Sequence, residues 1–197
     1  MKVFPFICLM GSTLFVHAFS PSFDCEEAQT VTEGQICKNE GLADLDQQLS
    51  RIYKKVHQNY PENEKNSLIT GQKEWLEVRD YCGAATDCIE RRFEERISEL
   101  QIMGGSLVVP ESVIYKCSDV KKSVLTVFFY AKAQIPTVVM NQDSAIDAHF
   151  SLQDTMYISP AGSGEKYVNE SLEFWAHQGE AILTRKGKTI NCKEFKK

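Results

Sequence analysis

The sequence predicts an α+β fold in two parts, a disulfide-tied helical hairpin domain followed by a small antiparallel β unit. Three observations carry that prediction. Apolar residues recur at spacings of three and four as far as Leu100, and at a spacing of two after Gly104-Gly105. That glycine pair ends the helical pattern and marks a boundary between 19–105 and 106–197. Six cysteines follow an apolar N-terminal segment, enough for three cross-links in units whose cores are modest.

The N-terminal segment reads as a cleaved secretory signal over residues 1–18. Lys2 precedes an apolar run that ends at Val16-His17-Ala18, before polar Ser20, Ser22 and Asp24. A membrane anchor needs about 20 apolar residues, and this run is shorter and interrupted by Gly11-Ser12-Thr13. Cys8 lies too deep in the run to resemble a lipid-attachment cysteine. The expectation is a soluble chain starting near Phe19, periplasmic or secreted, without a membrane span after cleavage.

In the first part, Leu42, Leu45, Leu49, Ile52, Tyr53 and Val56 form one helical stripe. Pro61 interrupts it where a turn is needed. A second helix carries Leu68, Ile69, Trp75, Leu76 and Val78 inward, and a third carries Ile89, Phe93, Ile97 and Leu100. In the second part, the segments 112–117, 124–130, 135–140, 145–152, 172–176, 181–185 and 189–193 are short, rich in β-branched and aromatic residues, and separated by polar turns. Seven or eight antiparallel strands of this length make a barrel or a sandwich.

Cysteine spacing does not fix connectivity, but geometry narrows it. A hairpin turning near Tyr60 brings Cys37 and Cys82 level, which favours Cys37–Cys82 with Cys25–Cys88 and leaves Cys117–Cys192 to join the first and last strands. No pair has the Cys-x-x-Cys spacing of zinc sites, and the histidines are scattered at 17, 57, 149 and 177, so neither metal nor cofactor is expected.

Charge divides with the fold. Residues 19–105 carry a net charge of −7 and residues 106–197 a net charge of +1. Nucleic acid is thereby disfavoured as a partner, since phosphate binding calls for clustered Lys and Arg. An acidic first half suits a basic partner, and steering of that kind acts mainly on association rate.

One motif stands out, Ala161-Gly162-Ser163-Gly164-Glu165-Lys166-Tyr167, in which two glycines flank a serine and let its hydroxyl project from a tight loop. With Tyr115-Lys116-Cys117, Leu125-Thr126-Val127, Phe174-Trp175, Glu180-Ala181 and Cys192, this stretch resembles the family of membrane-bound lysozyme inhibitors of c-type lysozyme. The resemblance implies an eight-stranded antiparallel barrel and a non-catalytic role. It also implies that c-type lysozyme is the partner, with Ser163 pushed into the cleft against the catalytic carboxylates. Lysozyme-type hydrolysis depends on two carboxyl groups beside the scissile bond, and a hydroxyl can donate to one and accept from the other when that one is protonated.

By the same resemblance the binding residues are Ser163, Gly164, Lys166, Tyr167 and His177. The family's second motif, Lys-Gly-x-Glu-Ala, reads here His177-Gln178-Gly179-Glu180-Ala181, so an imidazole replaces a fixed positive charge. An unperturbed histidine titrates near pH 6.5. If His177 faces the enzyme's carboxylates, binding is strongest below that pH and weakens as pH rises through it.

The first part resembles the LprI family of exported lysozyme-inhibitor lipoproteins, through Phe23-Asp24-Cys25, Ile36-Cys37, Leu45-Asp46, Gln72 with Trp75-Leu76, Arg79-Asp80 with Cys82, and Cys88-Ile89. That resemblance implies a supporting or second contact with lysozyme. The rival reading is a periplasmic glycan-binding module or hydrolase using Ser163 and His177, although no Asp-His pair is recognisable beside Ser163.

Overall fold

The structure, a computed structural model, describes residues 20–118, 124–142 and 155–196. The expected signal segment 1–18 and the expected strand 145–152 lie outside those residues. The N-terminal part is helical: α1 spans Val31–Ile36, α2 Glu40–Asn59, α3 Lys65–Asp80 and α4 Thr86–Met103.

The first helix is too short to show a periodic stripe and was not anticipated. It starts with a reciprocal cap, in which the Thr30 hydroxyl accepts from the Glu33 N–H while the Glu33 carboxylate accepts from the Thr30 N–H. The Asn39 side chain caps α2 by accepting from the Leu42 N–H at 3.1 Å. Leu42, Leu49 and Val56 of α2 share one core with Ile89, Phe93, Ile97 and Leu100 of α4, all four of which are fully buried. Each such burial contributes roughly 1.5–3 kcal/mol. The third helix adds buried Leu68, and Trp75 lies 5.5 Å from the Phe93 ring. Leu76, expected to face inward, is exposed.

Two disulfide expectations are overturned. The bridges are Cys25–Cys37 and Cys82–Cys88, in place of Cys37–Cys82 and Cys25–Cys88. The expectation assumed that α2 and α3 lie side by side up to the level of the cysteines. Instead α1 lies against the end of α3, its Thr32 hydroxyl donating to the carbonyls of Asp80 and Gly83. Each cysteine therefore meets the one nearest in sequence.

The second part is a closed antiparallel barrel of eight strands in simple sequence order. They are β1 Ser112–Cys117, β2 Val124–Tyr130, β3 Thr137–Gln142, β4 Thr155–Ser159, β5 Glu165–Val168, β6 Leu172–His177, β7 Glu180–Arg185 and β8 Lys188–Glu194. Inward residues such as Leu125, Val127, Val138, Met140, Met156, Phe174 and Leu183 fill the interior. The seam between β1 and β8 places Cys117 directly opposite Cys192, and the two are bridged as expected.

Strand β4 was not anticipated because Thr155, Met156 and Tyr157 are all buried in succession. Its outer face is covered by α4, so the alternation that betrays a half-exposed strand is absent. The Tyr157 hydroxyl donates to Glu99, and Arg91 Nη2 donates to the Ile158 carbonyl at 2.7 Å. Beyond them the Ser98 hydroxyl accepts from the Ile135 N–H at 3.1 Å, and Gln101 Oε1 accepts from the Gln134 N–H at 2.9 Å. Ile102 and Leu107 pack on buried Tyr130, Ala133 and Val139. The helical part is thus fastened to the barrel by both polar and apolar contacts.

Candidate functional site

Strand registers gather one end of the barrel around the glycine-flanked serine. Glu165 pairs with Ala176, His177 with Glu180, and Tyr115 with Glu194. The segment 160–164 links β4 to β5, and the two-residue turn Gln178-Gly179 links β6 to β7 beside it. Both turn residues have positive φ, 48° and 81°, as a type I′ hairpin requires.

Ser163 is exposed at the loop, and its hydroxyl makes no hydrogen bond among the described residues. Its backbone, in contrast, is held: the Trp175 indole N–H donates to the Ser163 carbonyl at 2.7 Å. Gly164 lies in the left-handed region at φ +65°, and a Cβ there would sit 2.6 Å from the Ala176 carbonyl and 3.0 Å from His177 Cβ. The loop thus lies directly against β6, with only the serine side chain free to project.

The outer face of β5 and β6 forms a shelf below this tip. Trp175 and His177 stack with ring centroids 5.7 Å apart and planes 15° from parallel. Lys166 stands opposite Trp175 across the ladder, and its Nζ lies 3.6 Å from a Glu173 oxygen. Ser163, Gly164, Lys166 and His177 are therefore brought together. Tyr167 is not: it points into the barrel, 3% exposed, and its hydroxyl donates to Glu165 Oε2 at 2.8 Å. Burial, then the hydrogen bond and charge of Glu165, push its phenol well above the usual tyrosine range.

Sequence reasoning did not name Trp175 as a site residue. The available signal was its position next to buried Phe174, which in a two-residue period places a large indole on the outer face beside the Gly-Ser-Gly loop. The rival hydrolase reading needs a serine activated by a base, and among the described residues no hydrogen bond joins Ser163 to His177. No cluster of three or more His, Cys, Asp or Glu side chains among those residues is placed to hold a metal.

Residues 115–191 match the family model described as membrane-bound lysozyme-inhibitor of c-type lysozyme (MliC), and residues 25–100 match the one described as lysozyme inhibitor LprI. The chain joins an LprI domain to an MliC domain. Both are families of lysozyme inhibitors and not of enzymes. The same order extends to relatives: Lipoprotein LprI of Mycobacterium bovis and of Mycobacterium tuberculosis is 28% identical over 175 residues, covering 87% of this chain and 83% of the relative. No solved structure matches the chain. The exposed Ser163 loop belongs to the MliC domain, and α4, which braces β4 just before that loop, belongs to the LprI domain.

Proposed function

We propose that the protein is an extracytoplasmic, non-catalytic inhibitor of c-type lysozyme whose Ser163 loop enters the enzyme's cleft. The observation that carries this reading is a free hydroxyl on a clamped backbone: Ser163 projects while its carbonyl is tied to Trp175. A pre-organised tip loses little conformational entropy on docking. Gly164 lets the loop approach β6, and Lys166 and His177 flank it as candidate contacts with the enzyme's acidic cleft. Tyr167 contributes indirectly, by holding Glu165.

The LprI domain has a bracing role in this scheme. Arg91 grips the Ile158 carbonyl on the strand leading into the loop. The three disulfides fit an oxidising compartment, as does export through the segment 1–18. The mycobacterial relatives are named lipoproteins, so attachment to a membrane by lipid is a second arrangement compatible with the same site. No helix among the described residues is long and apolar enough to cross a membrane.

The test is inhibition of purified c-type lysozyme acting on peptidoglycan. Ser163→Ala is expected to weaken binding by about 1–3 kcal/mol, the worth of a hydrogen bond to charged groups, and Ser163→Tyr to abolish inhibition with the fold intact. Full inhibition by Ser163→Tyr refutes the plug. Degradation of peptidoglycan by the protein alone would restore the hydrolase reading.

His177 stands where the family's second motif has a lysine. His177→Lys places a fixed positive charge there and is expected to tighten binding to the enzyme's acidic cleft at neutral pH. Unchanged affinity of His177→Lys would make the residue a bystander.

A further inference from the structure

A cleft of about 990 Å³ opens between the helical domain and the barrel. Strand β5 leaves the Ser163 loop at one end and runs at the other into the Asn169-Glu170-Ser171 turn, which forms one wall of the cleft; α3 and α4 form the opposite wall. Tyr157 of β4 lies between them, and its hydroxyl bond to Glu99 fixes the two walls relative to each other. Small-molecule sites measure roughly 300–1,000 Å³ and recur at domain junctions. Neither the Ser163 plug nor the brace made by Arg91 uses this space.

The walls specify the chemistry of an occupant. They carry four carboxylates and four cationic side chains, so the cleft has no net charge. Those on α4 are already paired: Arg92 Nη1 donates to Glu95 at 3.1 Å, and Arg96 Nη1 donates to Glu99 at 2.7 Å. One donor is left over. Arg96 is 3% exposed and its Nε donates to Gln72 at 3.1 Å, whereas its Nη2 makes no hydrogen bond among the described residues. That Nη2 lies 3.9 Å from a Cβ position on Gly71, another wall residue, so it faces the space the glycine leaves. A buried donor normally has a partner. Beside it Trp75, held by its indole N–H on the Arg92 carbonyl at 3.2 Å, supplies an aromatic surface.

We propose that this cleft is a glycan-binding site, taking an uncharged, hydroxyl-rich oligosaccharide. An ionic ligand gains little there, because each sign on the walls is matched by the other and a charged group would have to displace an existing ion pair. A sugar carries no such cost. Its hydroxyls donate to the carboxylate lone pairs that Arg92 and Arg96 leave open and accept from Arg96 Nη2, while the C–H face of the ring packs on Trp75. A peptidoglycan strand and another envelope polysaccharide share this chemistry. The site is independent of the plug: a glycan held in the cleft leaves the Ser163 loop, at the other end of β5, open to a lysozyme.

The experiment is calorimetric titration of the full mature chain, without lysozyme, with an N-acetylglucosamine tetramer and with a glucose tetramer. Saturable binding of the first points to the peptidoglycan backbone as the source, and of the second to another polysaccharide; either supports the site. Gly71→Met puts a flexible side chain into the cleft where a Cβ meets only Arg96 Nη2, at ordinary van der Waals distance. Inside α3 it replaces a poor helix former by a good one, so the protein should melt no lower than wild type. It is expected to raise the Kd for the oligosaccharide at least tenfold and to leave lysozyme inhibition unchanged. Ser171→Tyr, on the exposed turn of the opposite wall, narrows the cleft independently and should weaken binding several-fold. Because the ligand is uncharged, its Kd should stay within about twofold as salt is raised from about 0.1 M to about 1 M, which shortens the screening length to about 3 Å. No saturable binding of either tetramer at millimolar concentration, or an unchanged Kd in both variants, overturns the site. A Kd that rises steeply with salt overturns the uncharged ligand.

Discussion

Gly164→Ala is expected to weaken inhibition of lysozyme more than tenfold and to destabilise the barrel end, whereas Gly162→Ala leaves both nearly unchanged. The two glycines flank the same serine, but their surroundings differ. At Gly164 the backbone is left-handed, which for an alanine costs roughly 1–2 kcal/mol, and the new Cβ would be driven to 2.6 Å from the Ala176 carbonyl. Overpacking of that kind adds about 1–3 kcal/mol. The least costly relaxation lifts the loop off β6, which breaks the hydrogen bond between Trp175 and the Ser163 carbonyl and misplaces the tip. At Gly162 a Cβ meets nothing within 4 Å and no left-handed backbone is required, so a change within about 0.5 kcal/mol is expected. Inhibition assays with thermal unfolding check the pair, and indole fluorescence reports release of Trp175. Equal behaviour of the two variants would show that the loop's seating on β6 does not matter.

Removing Cys117–Cys192 is expected to be the most damaging change to stability in the molecule. The bridge closes a loop of 75 residues, which in the chain-entropy model corresponds to about 4 kcal/mol. Cys25–Cys37 and Cys82–Cys88 span 12 and 6 residues, corresponding to about 3 and about 2 kcal/mol. Position adds to length. The β1–β8 seam is held by three residue pairs, of which Cys117 with Cys192 is one, so cleavage removes the covalent link from the seam that closes the barrel. Paired cysteine-to-alanine variants, unfolded in urea, give the comparison. The sequence has two tryptophans, Trp75 in the helical part and Trp175 in the barrel, so each domain carries its own reporter. A smaller barrel shift for Cys117→Ala/Cys192→Ala than for the helical domain in Cys82→Ala/Cys88→Ala would contradict the expectation.

Much of the candidate site was legible because it is built locally. Gly162-Ser163-Gly164 lets a hydroxyl project from a tight turn wherever the surrounding strands run, and the family resemblance gave that turn and His177, in the second motif, their meaning. What the residues did not disclose was the partner of each group. That Trp175 clamps the Ser163 carbonyl across 12 positions depends on the β5–β6 register. That Tyr167 faces inward follows from the strand phase at Glu165, and a shift of one residue would reverse it.

The division between sequence and tertiary structure follows the range of the interactions. Helix positions for α2, α3 and α4 and the limits of β1 and β2 were readable from periodicity, because each of these elements keeps one face on a core. The bridge between Cys117 and Cys192 was readable too, since closing a sheet makes its first and last strands neighbours. Strand β4 escaped, because α4 buries the face that would have been polar, and only the docked pair of domains decides that. The four N-terminal cysteines escaped for the same reason: α1 against the end of α3 settles which thiols meet, and nothing in their spacing encodes it.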